Sequence, residues 1–371
     1  MKVETQHVPQ DFITEILLRL PVKSLIRFKG VCKFWRSLIS DPHFAKSHFE
    51  LGAHSHRLAL IKISHGIQTI DLDESLHSNP IYEPIKMDFS STAIGIDIVG
   101  SCRGFLLLTL DERLYVWNPS TRAHNPIPSS HILDNYHLLY GFGYIYGFGY
   151  DSSKDDYLVV QVYAQYAEFF SLRTNMWKPI EGVADLPRLK LSTDLRPGLL
   201  FNEAIHWLSY NCDESTYVII VFDLTQKRLV EIPQPYDTIP RLDEIARGGR
   251  EPDCSLWVHG SFLSLSVFMW WTSTIEIWDM KKYKVESTWN KTLVLSSSSF
   301  TFNYSLLCST KSGDIFMNNI GEVVKCRDKG NLLEPYCKYR DGDLEFHVPM
   351  YTESILSLPD VDVSEQSEED D

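Results

Sequence analysis

Short polar turns recur along most of the chain at intervals of about fifty residues, and this repeat limits the possible folds more than any other feature. The six turns are Asp71-Leu72-Asp73, Asn118-Pro119-Ser120, Leu172-Arg173-Thr174-Asn175, Asp223-Leu224-Thr225, Asp279-Met280-Lys281 and Cys326-Arg327-Asp328. Five of them follow a strand-like segment, and several precede a second one. A hairpin that recurs at this period is typical of one blade of a kelch-like β-propeller.

The segments around these turns read as strands. Runs such as 157–160 and 218–222 are short, rich in β-branched and aromatic residues, and bounded by turn residues. Long helical periodicity is absent beyond the first fifty residues, which argues against a doubly wound α/β fold. About six units would occupy residues 56–358, with 355–358 returning to complete the first blade. A β-sandwich or stacked-hairpin domain with accidental regularity is the alternative.

The amino-terminal segment has helical periodicity instead. Ile13, Ile16, Leu17 and Leu20 share one face of a predicted helix that starts near Pro9 and stops at Pro21. A second short helix is expected from Ser24, as its N-cap, to Gly30, and a third ends before Pro42. A helical unit of about forty residues buries little apolar surface alone. Its apolar face therefore needs a cover, either from the β domain or from a partner.

Composition and charge narrow the range of functions. The net charge of −14 argues against general affinity for nucleic acid or anionic membranes, which need a basic surface. No signal peptide or run of about twenty apolar residues is evident, so a cytoplasmic or nuclear protein is expected. The seven cysteines are dispersed, which is typical of free thiols in a reducing compartment.

No pattern in the sequence predicts a catalytic residue, a cofactor or a metal site. The spacings of zinc ligands, of a nucleophile elbow and of a phosphate-binding lysine loop are all missing. Partner proteins are therefore the expected ligands, and the chain is expected to be non-catalytic.

The helical segment resembles a known family. The strings Val8-Pro9-Gln10-Asp11-Phe12-Ile13, Leu20-Pro21-Val22-Lys23-Ser24-Leu25 and Val31-Cys32-Lys33-Phe34-Trp35-Arg36 look like the F-box, although Val8, Gly30 and Phe34 depart from its usual pattern. The resemblance implies a three-helix unit that packs on the adaptor Skp1, and through it joins a cullin and a RING protein. The positions that match the family's adaptor-facing and internal apolar surface are Pro9, Ile16, Leu17, Leu20, Pro21, Leu25, Val31, Cys32 and Trp35.

The β-rich segment also resembles a known family. The matching strings include Gly100-Ser101-Cys102-Arg103-Gly104-Phe105, Val116-Trp117-Asn118-Pro119-Ser120, Gly147-Phe148-Gly149-Tyr150-Asp151 and Ala204-Ile205-His206-Trp207-Leu208. They are similar to the F-box-associated domain of plant F-box proteins, which includes the S-locus F-box group. This resemblance implies a substrate-recognition domain.

Most residues of these motifs have an expected structural role. Trp117, Trp177, Trp207 and Trp278 are expected to pack between sheets, and Asn118, Asn175 and Asp223 to set turn geometry. The better substrate-binding candidates are irregular segments, above all 233–254 with Arg241, Arg247 and Arg250, and also 123–140 and 181–197. A surface excursion without a ligand is the alternative for each.

The sequence thus predicts an F-box at 5–50, a β-propeller-like substrate-recognition domain at 56–358 and an acidic, disordered tail at 359–371, where Ser367 is a candidate phosphorylation site. The expected function is substrate recognition in a Skp1-cullin-F-box ubiquitin ligase, with Skp1, the cullin and RING proteins, and an unknown protein substrate as partners. Two alternatives are a propeller enzyme or lectin with an accessory helical head, and an F-box protein that acts with Skp1 outside a cullin complex.

Overall fold

A computed structural model of the chain shows a small helical unit followed by a series of antiparallel sheets. The residues that it describes are 9–52, 56–63, 66–71, 82–85, 96–110, 113–130, 145–163, 166–183, 189–190, 197–211, 214, 216–232, 234–235, 253–269, 271–285, 288–296, 305–309, 314–319, 322–327, 332–338 and 350–359. The predicted fold class, a helical head with a mainly β body, is confirmed.

The helical unit contains four helices, one more than the sequence predicts. They are α1 (Gln10–Leu17), α2 (Val22–Phe28), α3 (Lys33–Ile39) and α4 (Pro42–Glu50). Helix α2 begins directly after Pro21, so the expectation that Ser24 caps it is wrong. Helix α4 begins at Pro42 because Asp41 caps it, accepting hydrogen bonds from the amides of His43 (2.8 Å) and Phe44 (3.1 Å).

The strands within the described ranges form six sheets. In chain order, sheet 1 contains β1 (His56–Ile63), β2 (Gly66–Asp71), β3 (Tyr82–Ile85) and β25 (Met350–Thr352); sheet 2 contains β4 (Ile96–Cys102), β5 (Phe105–Leu110), β6 (Arg113–Trp117) and β7 (His124–Ile127); sheet 3 contains β8 (Ile145–Asp151), β9 (Asp156–Tyr163), β10 (Tyr166–Ser171) and β11 (Met176–Pro179). Sheet 4 contains β12 (Leu189–Lys190), β13 (Leu199–Phe201), β14 (Ala204–Asn211), β15 (Thr216–Asp223) and β16 (Arg228–Ile232); sheet 5 contains β17 (Asp253–His259), β18 (Phe262–Met269), β19 (Thr274–Met280) and β20 (Trp289–Ser296); sheet 6 contains β21 (Ser305–Ser309), β22 (Ile315–Asn319), β23 (Glu322–Arg327) and β24 (Leu332–Lys338).

The sheets are arranged as propeller blades around a common axis. The first strands of consecutive sheets contact one another, as β4 contacts β8, β13 contacts β17 and β17 contacts β21. Sheet 1 takes its first strand from the other end of the chain, because β25 pairs with β1 from His56–Thr352 to Leu58–Met350. The segment predicted to close the first blade, 355–358, lies a few residues after the strand that does so.

The recurrent polar turns all occupy the same position in their sheets. Each joins the third strand of its sheet to the fourth, as 118–120 does between β6 and β7 and 223–225 does between β15 and β16. Strands are counted in sheet order here, so β25 is the first strand of sheet 1, and β12 and β13, which pair with different parts of β14, together form the first strand of sheet 4. Asp223 accepts hydrogen bonds from the amides of Thr225 (3.0 Å) and Gln226 (2.8 Å), and Asn175 has a positive φ of 56°. The expected structural role of these residues is confirmed.

The antiparallel order gives the propeller two different faces. We name one of them the near face: there, the first strand of a sheet turns into the second and the third into the fourth. The second-to-third turns and the connections from one sheet to the next start and end at the opposite, far face. Most near-face turns are short, whereas most connections between sheets at the far face span eight or more residues.

The apolar cores lie between neighbouring sheets, and the predicted tryptophans are part of them. Trp207 is buried with residues of sheets 3 and 4, and Trp117 with residues of sheets 1 and 2. Trp177 and Trp278 are half-buried against two further clusters. The expected packing of these four side chains is confirmed.

Candidate partner-binding site

The helical unit exposes a group of large apolar side chains to solvent. Phe12 is 64% exposed, Ile16 58%, Val31 61% and Phe34 41%. Phe12 and Ile16 lie one helical turn apart on α1, while Val31 and Phe34 lie at the start of α3. Apolar side chains of this size on a small helical unit are typical of a protein-binding surface.

The structure separates the nine residues that resemble the family's adaptor-binding set into two groups. Pro9, Ile16, Pro21, Val31 and Cys32 are exposed, and Leu20 and Trp35 are half-buried. Leu17 and Leu25 are fully buried. Only the first group and the edges of the half-buried pair are available to a partner, so Leu17 and Leu25 have an internal role.

The buried face of the helical unit is part of the propeller's own core. A single apolar cluster joins helical residues with residues of sheets 2 and 3 and with the segment after β25; it includes Leu17, Leu25, Ile39, Phe44, Phe105, Val116, Phe148, Tyr157, Ile355 and Leu356. The β domain therefore covers one face of the helices and leaves the other open. The β domain thus covers part of the predicted apolar face, and a partner protein could cover the part that stays exposed.

Contacts within the helical unit hold the exposed residues in place. The Cys32 thiol accepts a hydrogen bond from the Trp35 amide (3.4 Å) and so caps α3 beside Val31. The Trp35 ring packs on Phe28 of α2, with centroids 5.2 Å apart. His48 of α4 makes a hydrogen bond through Nε2 to the Leu20 carbonyl (2.8 Å), which ties the end of α1 to α4.

The helical unit is basic within an acidic chain. Residues 9–52 contain seven Lys and Arg and four Asp and Glu, whereas the whole chain has a net charge of −14. Burial lowers the pKa of Lys29, and the nearby Arg36 guanidinium lowers it further. A partner that presents carboxylates would be attracted to this surface.

Arg103 joins the helical unit to the propeller. It lies in the near-face turn between β4 and β5, and its guanidinium stacks between the Phe49 ring of α4 (4.6 Å to the centroid) and the Tyr150 ring of β8 (4.2 Å). An exposed ion pair between Lys46 of α4 and Asp155 of the β8–β9 turn (3.9 Å) lies nearby. These contacts show that the helices sit on the near face.

The segment that follows β25, residues 353–358, forms a strap between the propeller and the helices. The Asn118 amide donates hydrogen bonds to the carbonyls of Ser354 (3.1 Å) and Leu356 (3.2 Å), and Ile355 and Leu356 are buried beside the helices. Gly104 has a positive φ of 84°, and a side chain there would collide with Ser354.

The proposed substrate-binding arginines Arg241, Arg247 and Arg250 lie outside the described residues. Segment 233–252 leaves the end of β16 and returns at the start of β17, and both strand ends are at the far face. The other two irregular segments contain short strands that the sequence did not predict, β7 at His124–Ile127 and β12 at Leu189–Lys190.

One cluster contains the residue types of a catalytic triad without its geometry. The Ser264 hydroxyl donates to Asp279 (2.7 Å), and His259 also contacts Asp279 (3.1 Å), so the serine meets the carboxylate rather than the imidazole. Ser264 is fully buried.

Within the part of the chain that the structure describes, no group of three or more His, Cys, Asp or Glu residues could hold a metal ion. None of the described helices is long and apolar enough to cross a bilayer.

Comparison with known proteins agrees with both halves of the architecture. The F-box domain family matches residues 6–47, and the F-box associated beta propeller domain family matches residues 53–340. An F-box/kelch-repeat protein of Arabidopsis thaliana is 29% identical over 248 residues, which cover 62% of this chain and 66% of that protein. The F-box protein CPR1 of the same plant is 27% identical over 331 residues, which cover 81% and 76%.

The match to the first of these relatives spans slightly less than two thirds of its length. Among solved structures, dihydro-heme d1 dehydrogenase NirN aligns at a TM-score of 0.36 and 12% identity, over 77% of this chain and 55% of that one, and carries no functional argument. The family match extends over most of the β domain and follows an F-box match at the helices. The chain belongs to the family of plant F-box proteins with an F-box associated beta propeller domain.

Proposed function

We propose that this protein is the substrate-recognition subunit of a Skp1-cullin-F-box ubiquitin ligase. In this proposal the helical unit binds a Skp1-like adaptor, and the propeller binds a protein substrate. The chain itself is non-catalytic, because the adaptor complex brings the substrate close to ubiquitin carried by other subunits. A cytoplasmic or nuclear location is part of the same proposal.

The observation that supports adaptor binding best is the division of the helical unit into a covered and an open face. The propeller already covers Leu17 and Leu25, so the stability of the unit does not require a partner at that side. Phe12, Ile16, Val31 and Phe34 remain exposed to solvent, although exposing them costs free energy in water. A partner that buries this group gains the corresponding apolar area.

Replacing exposed apolar side chains of the helical unit with charged ones tests adaptor binding directly. Ile16→Asp combined with Val31→Asp should reduce co-purification of Skp1 by at least about tenfold, because two desolvated carboxylates would lie in the interface. Both side chains are exposed, so the midpoint of urea unfolding should stay unchanged. Val285→Asp, at an exposed apolar position in the β19–β20 turn, is the matched control and should bind normally.

Undiminished Skp1 binding by the double variant would contradict the proposal. A change of Leu20 and Pro21 to alanine is a less specific test, because the Leu20 side chain packs on the chain's own core and its loss would also reduce stability. Probing the same pull-down for the cullin separates the ligase from a Skp1 complex that lacks it.

The strand order supports the far face as the substrate-binding face. The helices occupy the near face through Arg103 and Asp155, whereas segment 233–252 with its three arginines starts and ends at the far face. A substrate there would not compete with the adaptor. Arg241→Ala, Arg247→Ala and Arg250→Ala together should therefore abolish substrate capture in native tissue while Skp1 binding stays normal, and loss of both activities would contradict this assignment.

A further inference from the structure

Arg103 lies where the two functional halves of the molecule meet. Its guanidinium contacts the Phe49 ring of α4 on one side and the Tyr150 ring of β8 on the other, at 4.6 and 4.2 Å from the centroids. A cation between two aromatic rings is attracted to both faces, and the attraction strengthens when water is excluded. The Arg103 Nε atom is buried and makes no hydrogen bond within the described residues, whereas the side chain as a whole is half-buried and also makes a hydrogen bond to Tyr157 of β9.

The backbone of Arg103 also favours a fixed position. Its φ of 49° lies in the left-handed region, which costs free energy for an arginine and persists only where the surroundings compensate for it. The next residue, Gly104, contacts Ser354 of the strap so closely that no side chain would fit. Helix α4, β8 and the strap therefore all contact the β4–β5 turn, the first two through Arg103 and the strap through Gly104.

Charged groups on both sides surround this contact. Glu50 of α4 and Asp155 of sheet 3 both lie near Tyr150, whose hydroxyl donates a hydrogen bond to Asp155. Lys46 pairs with Asp155. Burial, the Asp155 hydrogen bond and nearby carboxylates raise the pKa of Tyr150 to about 12, so the ring stays neutral and keeps its electron-rich face toward Arg103.

We propose that Arg103 is a positioning residue that fixes the orientation of the F-box helices on the propeller. The inference rests on the proposed ligase function: a substrate on the far face is then held at a set distance and angle from the ubiquitin-transfer machinery bound to the helices. Loss of the guanidinium leaves both binding surfaces and the shared apolar core intact but widens the range of orientations that the helices can adopt on the propeller. Transfer of ubiquitin slows, because proximity without a fixed orientation is a weaker catalytic effect.

The variant Arg103→Asn isolates the side chain, because asparagine tolerates a left-handed backbone and adds no strain of its own. Arg122→Asn is the matched control. Arg122 lies in the other near-face turn of sheet 2, also has a positive φ of 65°, and is exposed. Arg103→Lys, which keeps a cation near the rings, should restore part of the effect. Phe49→Leu removes one ring from the helical side and serves as a second variant should Arg103→Asn fail to fold.

The first measurement is the distance between spin labels on Ser37 of α3 and Arg228 of β16, two exposed positions in the two halves. Labels attached to unnatural amino acids leave the native cysteines unmodified. The wild-type chain and Arg122→Asn should give one narrow distance distribution, and Arg103→Asn one at least twice as broad. An equally narrow distribution for Arg103→Asn would overturn the proposal.

The second measurement uses an artificial substrate, since the natural one is not needed to test geometry. A short epitope inserted at 164–165, between β9 and β10 at the far face, recruits a nanobody to the reconstituted ligase. Nanobody ubiquitination should be roughly tenfold slower with Arg103→Asn, with unchanged nanobody affinity and Skp1 binding. Wild-type rates in that variant would overturn the positioning role. Failure of the wild-type chain to bind Skp1 would instead overturn the proposed function, and the spin-label distances would still test Arg103.

Discussion

Asp279 is the residue on which the polar contacts of sheet 5 converge. Its carboxylate is 2% exposed and accepts hydrogen bonds from Ser264 (2.7 Å), Lys281 (2.9 Å) and His259 (3.1 Å). Burial alone would raise the pKa of Asp279, but the bonds from His259, Lys281 and Ser264 outweigh it and hold the pKa well below its usual range. The charged form is therefore the stable one in the folded protein.

Removing this carboxylate should destabilise the propeller. We expect Asp279→Ala to lower the free energy of unfolding by about 3 kcal/mol, because Lys281 and His259 lose their buried partner. Glu276→Ala is the control on the same strand, since the Glu276 carboxylate that pairs with Lys291 (2.7 Å) is 18% exposed and this change should cost under about 1 kcal/mol. Urea unfolding of the three proteins measures both differences, and equal losses would contradict the prediction.

The contribution of Asp279 should also depend on pH. A carboxyl whose pKa is lower in the folded than in the unfolded state stabilises the fold above the unfolded pKa, about 3.9, and loses this contribution as the pH falls. The difference in unfolding free energy between wild type and Asp279→Ala should therefore be at its full value above about pH 5 and shrink toward pH 3. Unfolding curves at several pH values measure it, and a difference independent of pH would contradict the assignment.

Asn118 shows how far sequence reasoning reaches at a single residue. Its Oδ1 accepts hydrogen bonds from the amides of Ser120 (2.9 Å) and Thr121 (3.2 Å), the turn role that its position after a strand predicts. Its Nδ2 donates to Ser354 and Leu356, more than 230 residues away in the chain. No local pattern predicts such a partner, because it depends on closure of the whole propeller. The same limit applies to Arg103, whose sequence context indicates a family motif but not its aromatic partners.

At the scale of elements, the strap after β25 is the least conventional part of the fold. Residues 353–358 have no regular secondary structure, yet Ile355 and Leu356 are buried between sheet 2 and the helices. The strap thus stabilises the near face by filling the core rather than by sheet pairing.

Two truncations should separate the strap from the acidic segment behind it. Deleting 353–371 removes two buried apolar side chains and both acceptors of Asn118, so the melting temperature should fall by about 5 °C or more. Deleting only 360–371 leaves every described contact of the strap intact and should change the melting temperature by less than about 1 °C. Calorimetry compares the two, and equal values would show that the strap contributes nothing.

Element boundaries were predicted well where a repeat supported them and poorly elsewhere. The turns at 118–120 and 223–225 sit between strands as expected, because each is bounded by strongly β-forming runs. Helix α4 was missed, although Asp41-Pro42 followed by Phe44, Ala45 and His48 contains an N-cap and an apolar stripe. Strands β7 and β12 were missed because they are short and depend on pairing with β6 and β14.

At the scale of the whole molecule, the helical unit and the propeller share one core. Leu17, Leu25 and Ile39 are completely buried only because sheets 2 and 3 and the strap pack beneath the helices. The resemblance to the F-box predicted a unit with its own helices but could not show this dependence, since the contacts join residues far apart in sequence.

The helical unit should consequently be unstable on its own. We expect residues 1–52 expressed alone to show weak helical circular dichroism and no cooperative thermal unfolding, because the core that covers Leu17 and Leu25 is missing. The full chain provides the comparison, and Leu25→Ala in the full chain should cost about 3 kcal/mol. A sharp melting transition in the isolated segment would contradict the shared core.

The first sheet of the propeller is assembled from strands made at different times. During synthesis β1 emerges early, but β25, which pairs with it, follows nearly 290 residues later. At 5 to 20 residues per second, β1 waits roughly 15 to 60 seconds on the ribosome for this partner. A nascent chain interrupted before β25 would carry its helical unit without the strap beneath it and with sheet 1 incomplete. Synthesis of β25 and the strap thus completes both sheet 1 and the core beneath the helices, and copies that stop earlier would expose an unpaired edge of β1 and apolar side chains to the cell's quality control.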